Sequence, residues 1–311
     1  MKKESLQLIS IIIPCHNEQD NIEPIYNSIQ KTFPKKYQSE FLFIDDGSTD
    51  NTLDEIKKLS KKFDFVKYIS FSKNFGHQNA LSAGFDFAEG NCIVSIDADM
   101  QHPPELMPQM IEKWEEGFQI VNTIRIDKNI GFFKKVTSRL FYKIINFLSD
   151  TKIEPGAADF RLLDKKVVEV IKNLSENHLF IRGLTSWIGF KQECIEYIAH
   201  ERKHGKSSYS LKRMVHFAAV GITSFSTKPL KLSIYLGMIM AFCAFIYSIY
   251  AIYASIYTDK TITGWTSLIL AVLFIGAIQL IILGIIGEYL GKLFMENKHR
   301  PKYIIDESKL K

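Results

Sequence analysis

Cys92-Ile-Val-Ser-Ile-Asp-Ala-Asp-Met-Gln101 is a short apolar run, rich in β-branched residues, that ends in two carboxylates one residue apart. A run of this length and composition predicts a buried strand. Two carboxylates about 4 Å apart repel by roughly 4 kcal/mol at an effective dielectric of 20, so the pair is unfavourable unless a cation sits between them. A divalent metal would supply that charge, and hard oxygen donors such as Asp97, Asp99 and the Gln101 amide suit Mg²⁺ or Mn²⁺. An EF-hand is disfavoured, because His102 occupies the position that needs glycine and Pro103-Pro104 follow. Standing alone, an acidic pair at a strand end is also what a solvated turn looks like.

The same pattern recurs on both sides of this stretch. Ile9–Ile13, Phe41–Ile44, Val66–Phe71, Cys92–Ile96 and Ile120–Ile124 read as strands, with amphipathic helices near 20–32, 50–62, 77–89 and 104–116 between them. That alternation predicts an open, mostly parallel α/β sheet, whose ligands bind beyond the carboxyl ends of the strands. Cys15-His-Asn-Glu18, Asp45-Asp-Gly-Ser-Thr-Asp50 and Asp97-Ala-Asp-Met-Gln101 all fall at those ends. No Gly-x-Gly-x-x-Gly turn or Walker-type phosphate loop stands there, so dinucleotide and P-loop functions lose their main support.

The remainder of the 311-residue chain is of a different kind. Leu232–Tyr257 and Ile262–Gly287 each run 26 residues without a charge. As helices each would be about 39 Å long, against roughly 30 Å of hydrocarbon, so each can span a bilayer with some tilt. Only Thr258-Asp-Lys-Thr261 joins them, which forces a tight hairpin. Lys228 and Lys231 precede it, and Lys292, Lys298, Arg300 and Lys302 follow, so the positive-inside rule puts both outer ends and residues 1–229 in the cytoplasm. The expected organisation is a cytoplasmic domain over 1–205, a juxtamembrane amphipathic helix over 206–229, the hairpin over 230–290 and a basic cytoplasmic tail over 291–311.

Apolar positions alternating with Lys134, Lys135, Arg139 and Lys143 make 130–148 either an interfacial helix facing lipid phosphates or a core-packed helix with a solvated basic face. The start resembles a signal peptide only superficially, since Pro14 and Asn17-Glu18 follow the apolar run. Cysteines 15, 92, 194 and 243 show no paired spacing, which fits a reduced compartment and indicates neither zinc nor disulfides. The net charge of +5 is modest and belongs with a membrane face rather than with nucleic acid.

Ile13-Pro-Cys-His-Asn-Glu18, Ile44-Asp-Asp-Gly-Ser-Thr-Asp50, Lys73-Asn-Phe-Gly76, Asp97-Ala-Asp99 and Asp159-Phe-Arg-Leu-Leu-Asp164 follow one another in the order seen in family 2 glycosyltransferases. With the two C-terminal spans, the whole chain resembles the polyprenyl-phosphate glycosyltransferases, relatives of the dolichyl-phosphate mannose synthases. That resemblance implies an A-type glycosyltransferase fold, a Rossmann-like mixed sheet, acting on a nucleotide sugar. It implies that Pro14, Asn17, Glu18, Asp46, Lys73 and Asp97 hold the nucleotide sugar and that Asp99, Gln101 and Asp97 meet the metal. Histidine at 16, where tyrosine is commoner, is expected to be a satisfied loop residue. Asp159 would sit near the anomeric carbon, as a base or as a positioning group, although a structural pair with Arg161 explains the same residues. Arg202 is assigned to the donor diphosphate, and Arg125, Arg139, Lys206 and Ser207 to the acceptor phosphate, because cationic and hydroxyl donors bind phosphate oxygens. Trp187 is expected in the core, with the lining of a sugar or lipid passage as the alternative.

The implied activity is inverting transfer from a UDP-linked sugar to undecaprenyl phosphate, by single displacement since no carboxylate is identified as a covalent nucleophile. A processive polysaccharide synthase and a non-catalytic membrane adaptor are the alternatives. The absent Gln-x-x-Arg-Trp motif counts against the first and the intact acidic clusters against the second. A homo-oligomer is compatible with either.

Overall fold

The computed structural model describes residues 7–126, 146–147, 156–174, 176, 180–198, 226–257 and 264–310. The strands are β1 (Leu8–Cys15), β2 (Gln38–Asp45), β3 (Val66–Phe71), β4 (Cys92–Ser95), β5 (Ile120–Arg125), β6 (Ala157–Asp164), β7 (Gln192–Tyr197) and β8 (Ile305–Lys309). They form one sheet in the order β7-β5-β6-β4-β1-β2-β3-β8. Helices α1 (Ile22–Thr32), α2 (Thr52–Lys62), α3 (His77–Phe87) and α4 (Met107–Glu115) alternate with the first five strands, as the periodicity predicts. Beyond them come α5 (Lys165–Lys172), α6 (Ile181–Trp187), α7 (Lys228–Tyr257) and α8 (Trp265–Glu296).

Period-two alternation divides the core into two layers. Ile11, Ile13, Phe41 and Phe43 face α1, α2 and α4 through Ile25, Ile56 and Met110, whereas Ile12, Leu42 and Ile44 face α3, α5 and α6 through Leu81, Val167 and Leu184. β1 pairs in parallel with β2 on one side and β4 on the other, so the strand order reverses beside β1. A crevice opens at such a switch point, beyond the carboxyl ends of the strands. Both motif clusters, Pro14–Glu18 and Asp97–Gln101, leave the sheet there.

The sheet is mixed. β6 lies antiparallel between β4 and β5, with Ser95 opposite Arg161, and this carries Asp159 to the mouth of β4. Ser95 Oγ donates to the Asp159 carbonyl at 2.6 Å and pins that register.

The stretch 291–311, expected as a basic tail, divides differently. Its first residues belong to α8, which runs on to Glu296, and Ile305–Lys309 returns as β8, antiparallel to β3. An unpaired β3 would leave a row of exposed backbone donors and acceptors, and β8 satisfies them. Of the juxtamembrane helix expected over 206–229, only 226–229 are described, and Lys228 already begins α7. The amphipathic stretch 130–148 lies outside the described residues except for Asn146 and Phe147.

α7 and α8, at 30 and 32 residues, are long and apolar enough to cross a membrane, with windows of mean hydropathy 1.8. Phe242, Phe274 and Leu290 are each more than 60% exposed, an arrangement that water disfavours and hydrocarbon does not.

Candidate active site

A cavity of about 900 Å³ occupies the switch-point crevice. Pro14, Glu18 and Asp46 wall one part of it, and Asp97, Asp99 and Gln101 another. Asp159 and Arg125 complete the predicted set that meets there. Asn17 and Lys73 stand apart from the wall. Asn17, at φ 56°, knits two loops instead: its N–H donates to Ser48 Oγ at 3.0 Å, and its Oδ1 accepts the Thr49 N–H at 2.8 Å. The Lys73 ammonium lies 5.1 Å from the centre of the Phe75 ring. Arg139, Arg202, Lys206 and Ser207 lie outside the described residues.

Asp46 hangs from a backbone cradle. Its carboxylate accepts N–H bonds from Phe75 at 2.6 Å and Gly76 at 2.9 Å, while burial raises its pKa against those bonds. Gly47 has φ 62°, and a Cβ there would stand 2.3 Å from the Lys73 carbonyl carbon, so only glycine lets the two loops meet backbone to backbone. His16 Nδ1 donates to the Asp46 carbonyl oxygen at 2.9 Å, the satisfied loop role anticipated for it.

Asp159 is the centre of the charge. Arg182, on α6, grips it with two bonds, Nε to Oδ1 at 3.0 Å and Nη2 to Oδ2 at 2.9 Å. Fully buried Arg161 adds Nη2 to Oδ1 at 2.8 Å, so the structural pair is present, but as one member of a larger group. His77 Nε2 stands 3.4 Å from Asp159 Oδ2 and 3.5 Å from Asp97 Oδ1, bridging the two acids. Burial works against ionisation of Asp159, yet Arg182, His77 and Arg161 hold its carboxyl well below the usual range. Burial likewise lowers the His77 pKa, but Asp97 and Asp159 outweigh it and raise it to about 9. A carboxylate so held is a weak proton acceptor at neutral pH, which favours a positioning over a basic role for Asp159.

Asp97 is oriented from behind. His102 Nε2 lies 3.0 Å from its Oδ2, and His102 Nδ1 lies 2.7 Å from the Tyr197 hydroxyl. Because a carboxylate only accepts, His102 donates to Asp97 from Nε2, and its Nδ1 shares a hydrogen bond with the Tyr197 hydroxyl. This leaves Asp97 Oδ1, which is buried and accepts no hydrogen bond, turned to the His77 side. Among the described residues no three His, Cys, Asp or Glu side chains group to hold a metal unaided. Such a set still fits Mg²⁺ or Mn²⁺, which binds through one or two carboxylates and completes its shell with water and substrate phosphate. Asp99 and Asp97 Oδ1 are the donors that fit. Gln101 fits less well, since its neutral amide does not offset Arg125 Nη1 at 3.3 Å from Oε1, whereas the Asp97 carboxylate carries a charge that offsets His77 at 3.5 Å from Oδ1.

Trp187, expected in the core, is 58% exposed at the end of α6. Arg182 carried no motif in the sequence. Its only signal was a lone guanidinium in the apolar run Phe180-Ile-Arg-Gly-Leu184, a residue that must find an anion if buried. Arg182→Lys keeps the charge but loses the two-pronged grip. It is expected to destabilise the protein by about 1–2 kcal/mol in urea unfolding and to slow turnover about tenfold. Unchanged values for both would show that the paired geometry is dispensable.

Residues 10–172 match the glycosyl transferase family 2 model, and residues 228–293 match the GtrB C-terminal hairpin. The chain belongs to glycosyl transferase family 2. Among similar proteins, this family 2 glycosyltransferase is 45% identical over 301 residues to the uncharacterized glycosyltransferase YkcC of Bacillus subtilis, covering 96% of this chain and 93% of that protein. It is 40% identical to the bactoprenol glucosyl transferase of Shigella phage SfV, covering 97% and 99%. The prophage bactoprenol glucosyl transferase homolog of Escherichia coli K12 is 41% identical, again over 97% and 99%.

Proposed function

We propose that this glycosyltransferase moves a hexosyl group, glucose in the first instance, from a UDP-sugar to undecaprenyl phosphate at the cytoplasmic face of the membrane. The observation that carries the reading is the meeting of Asp97, Asp99 and Asp159 in one cavity, the last held anionic by Arg161, Arg182 and His77. The names of the full-length relatives support the lipid acceptor and the sugar.

In the proposed reaction an oxygen of the lipid phosphate attacks the anomeric carbon as the bond to the UDP β-phosphate breaks, and the electron pair leaves on UDP with inversion at carbon. The nucleophile arrives as an anion, so no strong base is needed, in keeping with the low proton affinity of Asp159. The Asp159 carboxylate would instead sit beside the developing positive charge of the sugar. Pro14, Glu18, Asp46 and Asp97 line the space for the nucleotide, with Asn17 and Lys73 bracing its loops from outside. Asp99, with Asp97, would hold Mg²⁺ or Mn²⁺, which supplies charge to the leaving diphosphate when bound. Arg125 is the described candidate for the acceptor phosphate, and Arg139, Lys206 and Ser207 would join it as Arg202 joins the diphosphate.

The proposed topology sets both termini and the catalytic domain in the cytoplasm. It is supported by basic residues at both outer ends of the hairpin and by three contacts that tie those ends to one another or to the chain before the hairpin. Lys228 Nζ donates to the Phe147 carbonyl at 3.0 Å, Tyr289 Oη to the Ser226 carbonyl at 2.5 Å, and β8 closes on β3.

Incubating the membrane-embedded protein with labelled UDP-glucose and undecaprenyl phosphate should carry label into the organic phase in a lipid-dependent manner. Label that stays aqueous with UDP-glucose and with other UDP-hexoses alike would exclude this function.

A further inference from the structure

Beyond α8 the chain reaches the edge of the sheet at Tyr303, and what it touches there leads into the cavity. The Tyr303 ring stacks on Phe71, the last residue of β3, with centroids 4.9 Å apart and planes 13° from parallel. Its hydroxyl donates to Asp86 Oδ2 at 2.8 Å, and the Ser72 N–H donates to the neighbouring Ile304 carbonyl at 3.0 Å. Phe71 in turn meets Phe75 edge to face, at 5.8 Å and 89°. Phe75 and Gly76 supply the two N–H groups on which the Asp46 carboxylate hangs, and Gly76 immediately precedes His77.

We propose that Tyr303 is a positioning residue for the donor cavity: it fixes the Phe71–Phe75 ring pair behind the Asn74 and Gly76 lining, and through it the backbone cradle of Asp46, from outside the site. The proposal rests on the reading of that cavity as nucleotide-binding. The rings give the loop Ser72–Gly76 a rigid outer face, because stacked and edge-to-face pairs have defined geometry and buried aromatic area. Without them the outer face of the loop keeps only the Ser72 N–H bond to the Ile304 carbonyl, at its far end from Gly76, and the Asp46 cradle loses its alignment. Glu307 provides a natural comparison, since it lies within β8, beyond Tyr303, and pairs with Lys57, neither residue lining the cavity.

The test uses full-length protein in detergent, with UDP and Mg²⁺ in isothermal titration, followed by steady-state kinetics with UDP-glucose and undecaprenyl phosphate. Tyr303→Ala is expected to weaken UDP binding about fivefold to tenfold and to raise the donor KM in parallel, with the acceptor KM unchanged. Glu307→Ala is expected to lower the melting temperature while UDP affinity stays within about twofold of the parent. Should Tyr303→Ala not fold, Tyr303→Leu fills the volume without the ring contact and is expected to show the same loss for UDP. If either Tyr303 variant binds UDP as the parent does, or if UDP affinity falls in both Tyr303 and Glu307 variants in proportion to lost melting temperature, β8 is an edge cover only and the proposal is overturned. Absence of UDP binding by the parent protein sinks the donor-cavity reading, and this proposal with it.

Discussion

Asp159→Asn is expected to reduce sugar transfer by about 10²–10³-fold, the scale found when one preorganised electrostatic group is removed from a transition-state site. The carboxylate is 6% exposed and takes hydrogen bonds from Arg161 and Arg182. An amide accepts on one atom only, so the substitution also leaves buried cations without their counter-charge. Removing one partner of a buried ion pair costs about 3–5 kcal/mol, which should be visible in urea unfolding. The two losses are separable, because activity is read at temperatures where the variant is folded. A variant that unfolds early yet turns over at more than about a tenth of the parent rate would reduce Asp159 to a structural counter-ion.

Asp99→Ala should act through a different channel. Lewis-acid stabilisation of a leaving diphosphate is worth several kcal/mol, so losing the proposed metal ligand should lower turnover about a thousandfold. The folded state should hardly change, since Asp99 lies at the cavity wall rather than in the core. In the parent protein, chelation by EDTA should abolish lipid-linked product and Mg²⁺ or Mn²⁺ restore it. In the variant the residual rate should ignore both treatments. A full Mg²⁺ response in Asp99→Ala would transfer the metal site elsewhere.

The two predictions draw on parts of the chain that differ in how well sequence reveals them. β1 to β5 and α1 to α4 were legible because the strands place apolar residues in both core layers, α1, α2 and α4 each bury one face, and α3 is buried over Ala80–Phe85. That alternation also located Asp97 and Asp99 at a strand end. β6, by contrast, carries Asp159, Arg161 and Asp164, and its charges hide a strand whose polar residues meet partners both within it, as Arg161 meets Asp159, and far along the chain, as Asp164 meets Trp114. β7 and β8 read as Gln-Glu-Cys-Ile-Glu-Tyr and Ile-Asp-Glu-Ser-Lys, edge strands whose charged outer positions break the pattern. Of the partners of Asp159, Arg161 was legible as a near neighbour in sequence, and the other two were not. Arg182 and His77 reach it from α6 and α3, and nothing in the linear spacing of the three residues records that meeting.

The return of β8 to β3 also has a consequence for biosynthesis. Among the described residues every other strand has been synthesised by Tyr197, but β8, at one edge of the sheet, follows only after both long helices. At about 5–20 residues per second, the intervening hundred or so residues take roughly 5–20 s to make. For that interval the nascent domain holds β3 open at its margin, a sticky ribbon awaiting its last neighbour. Synthesis of both long helices therefore precedes closure of the sheet, and under the proposed topology a stalled or misinserted hairpin would leave an aggregation-prone intermediate for quality control to find.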